Sequence, residues 1–142
     1  INAGVLGTFE VGDEKRGVEW LEALWMKLPA KDTWENWPFL GPVEAIYRPS
    51  ALDNGIMTAI LKKVLTGRSF QRQIALLAVD LDTGEIVIFD ETTPHRFMSD
   101  AVIASASIPT VFPPVSFDHK TMVDGGIFAN VDVSESIIKC RD

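Results

Sequence analysis

The run Ile74-Ala75-Leu76-Leu77-Ala78-Val79 constrains this chain more than any other feature. Six apolar residues without polar alternation, followed by Asp80, suit a strand buried on both faces. Such a strand has to be covered above and below by other elements. Asp82-Thr83-Gly84 then turns the chain, and Glu85 to Phe89 reads as the returning strand of a hairpin. The run is the longest purely apolar one in the sequence. A membrane-spanning helix needs about 20 residues, so none is expected, and no signal peptide is visible.

Helical periodicity supplies the cover. Val18, Leu21, Leu24, Trp25 and Leu28 recur at about 3.6 residues and predict an amphipathic helix ended before Pro29. Leu52, Ile56, Ile60 and Val64 form one i+4 row, and Met57, Leu61 and Leu65 the next. Ser50 or Asp53 is the expected cap of that helix, and Gly67 its stop. A small-residue helix is expected over Asp100 to Ser107, ahead of Pro109, and another from Ser134 to Cys140. Between the first two helices, Pro29, Pro38, Pro42 and Pro49 predict irregular chain. Val115-Ser116-Phe117, a turn at Asp118-His119-Lys120, and Thr121-Met122-Val123 predict a second hairpin. Residues 1–10 read as the tail of a buried helix or a loop packed on one. Helices alternating with buried strands give the α/β class.

The chain's 142 residues make one domain or a large part of one, with 46% apolar residues to build its core. A net charge of −7 argues against nucleic acid as a partner, because phosphate binding needs clustered Lys and Arg. Cys140 is the single cysteine, so no internal disulfide can form. With His95 and His119 far apart in sequence, no metal-ligand spacing appears. The lone cysteine and the lack of a visible export signal lean toward the cytoplasm.

Asp124-Gly125-Gly126 is the most informative site. It sets a carboxylate at the end of an apolar strand, where α/β sheets place ligands. The two glycines allow φ > 0 and close approach of backbone or substrate. Asn130 is placed to hydrogen-bond across the turn. An aspartate beside Met122 and Val123 is expected to have its pKa raised by apolar burial, which suits a general base. Taken alone, the tripeptide reads first as an ordinary turn.

The preceding residues add to that reading. Ala104-Ser105-Ala106-Ser107-Ile108-Pro109, then Phe112-Pro113-Pro114-Val115, then Val123-Asp124-Gly125-Gly126 with Asn130 after it, closely resemble the C-terminal half of the patatin-like phospholipase family. Ile1-Asn2-Ala3-Gly4 resembles the stretch just after that family's G-x-S-x-G nucleophile elbow. The resemblance covers residues 1–10 and about 100–140 by motif, and residues 11–99 in order of elements. It implies a three-layer α/β/α sheet that is N-terminally incomplete over residues 1–142. It implies a lipid acyl hydrolase (phospholipase, lipase or esterase) with a Ser–Asp dyad, no histidine and no cofactor or metal. Asp124 would be the base, with Gly125, Gly126 and Asn130 shaping its loop. The elbow serine and the glycine-rich oxyanion loop would precede Ile1, and residues 1–142 alone would be inactive.

A non-catalytic remnant that binds an acyl group or a protein partner is the rival reading. Gly67-Arg68-Ser69-Phe70-Gln71 starts like an elbow but lacks the closing glycine. Ser105 and Ser107 suit helix packing and back-bonding. Val79-Asp80-Leu81-Asp82-Thr83 resembles a phosphatase nucleophile loop with the wrong threonine spacing, and Asp82-Thr83-Gly84 an aspartic protease core with the wrong next residue. Both suit a hairpin tip better. Trp20, Trp25, Trp34 and Trp37 with Phe39 form either a surface for peripheral membrane contact or a loop docked by aromatic anchors. Val111 and Phe112 either fill core or line an acyl pocket.

Overall fold

The computed structural model describes residues 1–28, 50–129 and 133–139. In chain order these form α1 (Asn2–Leu6), α2 (Glu14–Lys27), α3 (Gly55–Leu65), β1 (Leu76–Asp80), β2 (Ile86–Phe89), α4 (His95–Ala104), β3 (Val115–Phe117), β4 (Lys120–Asp124) and α5 (Val133–Lys139). A 3-10 turn, Gly125–Ile127, follows β4. The architecture is α/β, as the alternation of patterns predicts. The predicted irregular stretch with Trp34, Trp37 and Phe39, along with Asn130 and Cys140, lies outside the described residues.

The strands form one four-stranded sheet in the order β2-β1-β4-β3, and every described pairing is antiparallel. The apolar run sits at the centre of it, flanked by β2 and β4. Leu76, Ala78 and Asp80 share a face with Phe89 and Val87 of β2 and with Met122 and Asp124 of β4. Leu76, Ala78, Phe89 and Met122 of that face join the main core with Val5 of α1, Leu21 of α2, Leu61 of α3 and Met98 of α4. Helices α1 to α4 therefore cover this side of the sheet. At the outer end of β2, Ile86 and Ile88 remain exposed.

Both predicted hairpins form. Asp118 and His119 take φ of +51° and +61°, the two left-handed positions of a tight I′ turn. At the other hairpin tip Gly84 has φ +74° and donates its N–H to the Asp80 carbonyl. Asp80 itself is buried; its carboxylate accepts the Asp82 N–H and lies 3.8 Å from the Lys120 ammonium. That is the hydrogen-bonding of a turn, so the phosphatase and protease resemblances of this segment carry no site.

The helices differ from expectation in their bounds. α2 starts at Glu14 and turns Gly17, Trp20 and Leu21 inward, while Val18 is exposed. Gly17 packs closely on Leu6 and Phe9. α4 starts five residues earlier than predicted, directly after Pro94, and ends at Ala104 rather than Ser107. Ser105 to Ser107 continue in shorter-range turns, with Ala106 and Ser107 N–H groups bonding Ile103 and Ala104 carbonyls. Asp53, not Ser50, serves the start of α3, accepting the Gly55 N–H at 2.9 Å. Ser50 instead pairs with Thr110 in an isolated bridge. Gly67, at φ +73°, ends α3 as expected.

Candidate active site

Asp124 is the last residue of β4 and caps the 3-10 turn that follows. Its Oδ1 accepts the Gly126 N–H at 2.8 Å, and its own N–H donates to the Ser107 carbonyl at 2.9 Å. The strand end is thereby tied to the end of the α4 segment. Asp124 shares its face with Met122, which is 1% exposed and packs in the core. The carboxylate is therefore directed toward the helical layer, and the residue is partly buried.

Ile1, at the start of α1, is on the same side. Ile1 lines a small cavity with Ala106, whose neighbour Ser107 holds the Asp124 N–H through its carbonyl. Gly4 of the same helix packs on Val102 of α4, where a Cβ would come within 2.5 Å of a Val102 methyl. This close approach seats α1 against α4, and with it the start of the chain beside Asp124.

The glycine pair works differently from expectation. Both glycines lie in the 3-10 turn, where backbone is right-handed, so φ > 0 is not what they supply. Gly125 is buried against β1. An added Cβ would stand 2.6 Å from the Leu77 Cβ and 2.7 Å from its carbonyl carbon. Close backbone approach is the reason for glycine at 125. Gly126 contributes the N–H that holds the carboxylate. Asn130 lies outside the described residues.

The serines of this region are committed elsewhere. Ser107 is fully buried and its hydroxyl donates to the Ile103 carbonyl at 2.9 Å, as back-bonding predicts. Ser69 accepts from the Gln71 side chain, far from a strand–turn–helix elbow. Among the described residues no cluster of three or more His, Cys, Asp or Glu can hold a metal ion.

Two tryptophans act as anchors. Trp20 packs on Phe9 with ring centroids 6.2 Å apart, and the Arg68 guanidinium sits 5.0 Å from its ring centre. Trp25 donates its indole N–H to Asn2 Oδ1 at 3.0 Å. For these two the docked reading holds; Trp34 and Trp37 lie outside the described residues. Phe112 lines a small apolar cavity together with Ile1 and Trp25. Nothing in the sequence signals the Asn2–Trp25 bond, whose partners are 23 residues apart. The Ser107 carbonyl as the partner of Asp124 is equally invisible there, since any residue can supply one.

Asp124 thus stands where a strand end, a glycine turn, the close of α4 and the first residues of the chain converge. The sequence model of the patatin-like phospholipase family matches residues 1–137, spanning the segment between the two motif regions as well as the motifs. The chain belongs to the patatin-like phospholipase family, a family of lipid acyl hydrolases.

Proposed function

We propose that Asp124 is the general base of a Ser–Asp dyad that hydrolyses lipid carboxylic esters, with the serine supplied by sequence ahead of Ile1. The observation that carries this reading is the position of Asp124 on the core face at the end of β4, bonded to Ser107, whose neighbour Ala106 lines one cavity with Ile1. A serine a few residues before Ile1 would enter α1 from that side.

In the first half-reaction the serine hydroxyl adds to the ester carbonyl while Asp124 takes its proton. The tetrahedral intermediate collapses, the alcohol leaves with that proton, and an acyl-enzyme remains. In the second half a water adds to the acyl carbon, again giving its proton to Asp124. Collapse releases the carboxylic acid and returns the proton to serine. Asp124 needs a fixed position throughout, and the Gly126 N–H and the bond to Ser107 supply it.

Peripheral membrane contact belongs to the same proposal. Ile127 and Phe128, 57% and 69% exposed, follow Asp124 directly and give the site an apolar rim. A fluorophosphonate probe on the full-length protein tests the dyad. Labelling of one serine in a G-x-S-x-G sequence, slowed at least about 100-fold by Asp124→Asn, is expected. Absence of labelling would instead favour the non-catalytic, acyl-binding or partner-binding module.

A further inference from the structure

A cleft lies at the opposite end of α4 and β4 from Asp124. Its floor is apolar: Val87 and Phe89 of β2, Phe97 of α4, Phe117 of β3 and Met122 of β4. The Phe117 ring packs on Phe89 and on Phe97, with centroids 5.6 Å apart in each pair. Arg96, Lys120, Thr93 and Asp118 supply the polar groups. Lys120 starts β4 and Asp124 ends it, so at about 3.3 Å per residue the two are roughly 13 Å apart. The cleft is therefore separate from the candidate active site.

Its two cations have donors to spare. The Arg96 guanidinium rests 4.6 Å from the centre of the Phe97 ring and makes no hydrogen bond or ion pair among the described residues. Stacking on a ring leaves the edge of a guanidinium, with its N–H groups, open to an acceptor. The Lys120 ammonium comes only within 3.8 Å of the Asp80 carboxylate, longer than a hydrogen bond. An aromatic floor with a few convergent polar groups is the usual make-up of a small-molecule site.

We propose that this cleft is a second ligand site, for a monocarboxylate with a hydrocarbon body. The acid group would accept from Arg96 and Lys120, and the hydrocarbon would cover the phenylalanine rings. A bare inorganic anion would leave those rings uncovered. A doubly charged phosphate is disfavoured because Asp118 lines the same cleft and Asp80 lies beside Lys120. The proposal is independent of the role of Asp124.

Calorimetry on the full-length protein tests it, with hexanoate, neutral hexanamide and inorganic phosphate. Hexanoate should bind at least about ten-fold more tightly than either of the others. Arg96→Gln, at an exposed position, should weaken hexanoate at least about ten-fold and leave hexanamide unchanged. Asp124→Asn should leave hexanoate binding as it is. Salt at about 1 M should weaken hexanoate but not hexanamide, a readout that needs no variant. Equal binding of acid and amide, or phosphate as tight as hexanoate, would overturn the proposal. So would hexanoate affinity that is unchanged in Arg96→Gln or lost in Asp124→Asn, or no binding of hexanoate at about 20 mM.

Discussion

At residue scale, Asp124 has two roles that one substitution can separate. It caps the 3-10 turn through Oδ1 and is proposed to accept the serine proton. Asparagine caps about as well as aspartate but cannot serve as base, whereas alanine loses both functions. Asp124→Ala should therefore cost about 1 kcal/mol of stability that Asp124→Asn does not, measured by urea unfolding. Gly125 is constrained more tightly. Its Cβ would meet the Leu77 backbone at 2.7–2.8 Å, so Gly125→Ala must push the turn off β1. A loss of about 1–3 kcal/mol is expected, together with reduced turnover, because the displaced turn carries the Gly126 N–H. Thr110 shows the opposite condition, a β-branched residue at φ +67°. Thr110→Gly should relieve that strain and raise the unfolding midpoint by up to about 1 kcal/mol equivalent. Of these residues, Asp124 and the glycines were legible from their order in the motif. Why glycine is needed was not, because close approach to Leu77 brings together residues 48 positions apart.

At element scale, α5 is tied to the end of β2 by charge. The Lys139 ammonium lies 2.9 Å from both Glu91 oxygens and 3.3 Å from Asp90 Oδ2. The bond to Lys139 holds the Glu91 carboxyl below its ordinary range, and Thr92, then Lys139, does so for Asp90. Lys139 is raised in turn, chiefly by Glu91. Carboxylates with depressed pKa values stabilise the fold above their unfolded pKa and lose that contribution as pH falls through the folded value. A lysine with a raised pKa contributes below its unfolded value and loses it as pH rises past the folded one. The clamp is thus complete between about pH 5 and pH 10. Lys139→Met should cost about 1 kcal/mol at pH 7, and its difference from wild type should close as pH falls below about 4. The elements themselves were largely readable from periodicity. Their ends were not, because they are set by tertiary contacts. Gly17 packs against Phe9 while Val18 faces solvent, and α4 begins directly after Pro94, where no apolar repeat has yet started. Small residues at the end of α4 looked helical but serve as the tight connection that places Ser107 on Asp124.

At the scale of the whole molecule, helices packed on an antiparallel sheet bring sequence-distant residues to a single point. β1 is the pivot, because its register with β4 pairs Ala78 with Asp124 and so sets which face the carboxylate takes. A one-residue slip of that register would send Asp124 to the opposite face. The apolar run fixed as a buried strand in the sequence therefore has a functional consequence that its own residues do not announce. α3 and α4 complete the arrangement by holding α1 in place, and Leu61 and Met98, 1% and 2% exposed, are the side chains through which they enter the core. Leu61→Ala should cost about 2–5 kcal/mol in thermal or urea unfolding while also enlarging the cavity beside Ile1. The most direct measurement is kcat/KM for a short-chain ester with the full-length protein and its Asp124→Asn variant, each shown by circular dichroism to be folded. A loss of about 100- to 10,000-fold with the fold retained is the predicted result; turnover equal to wild type would contradict Asp124 as the base.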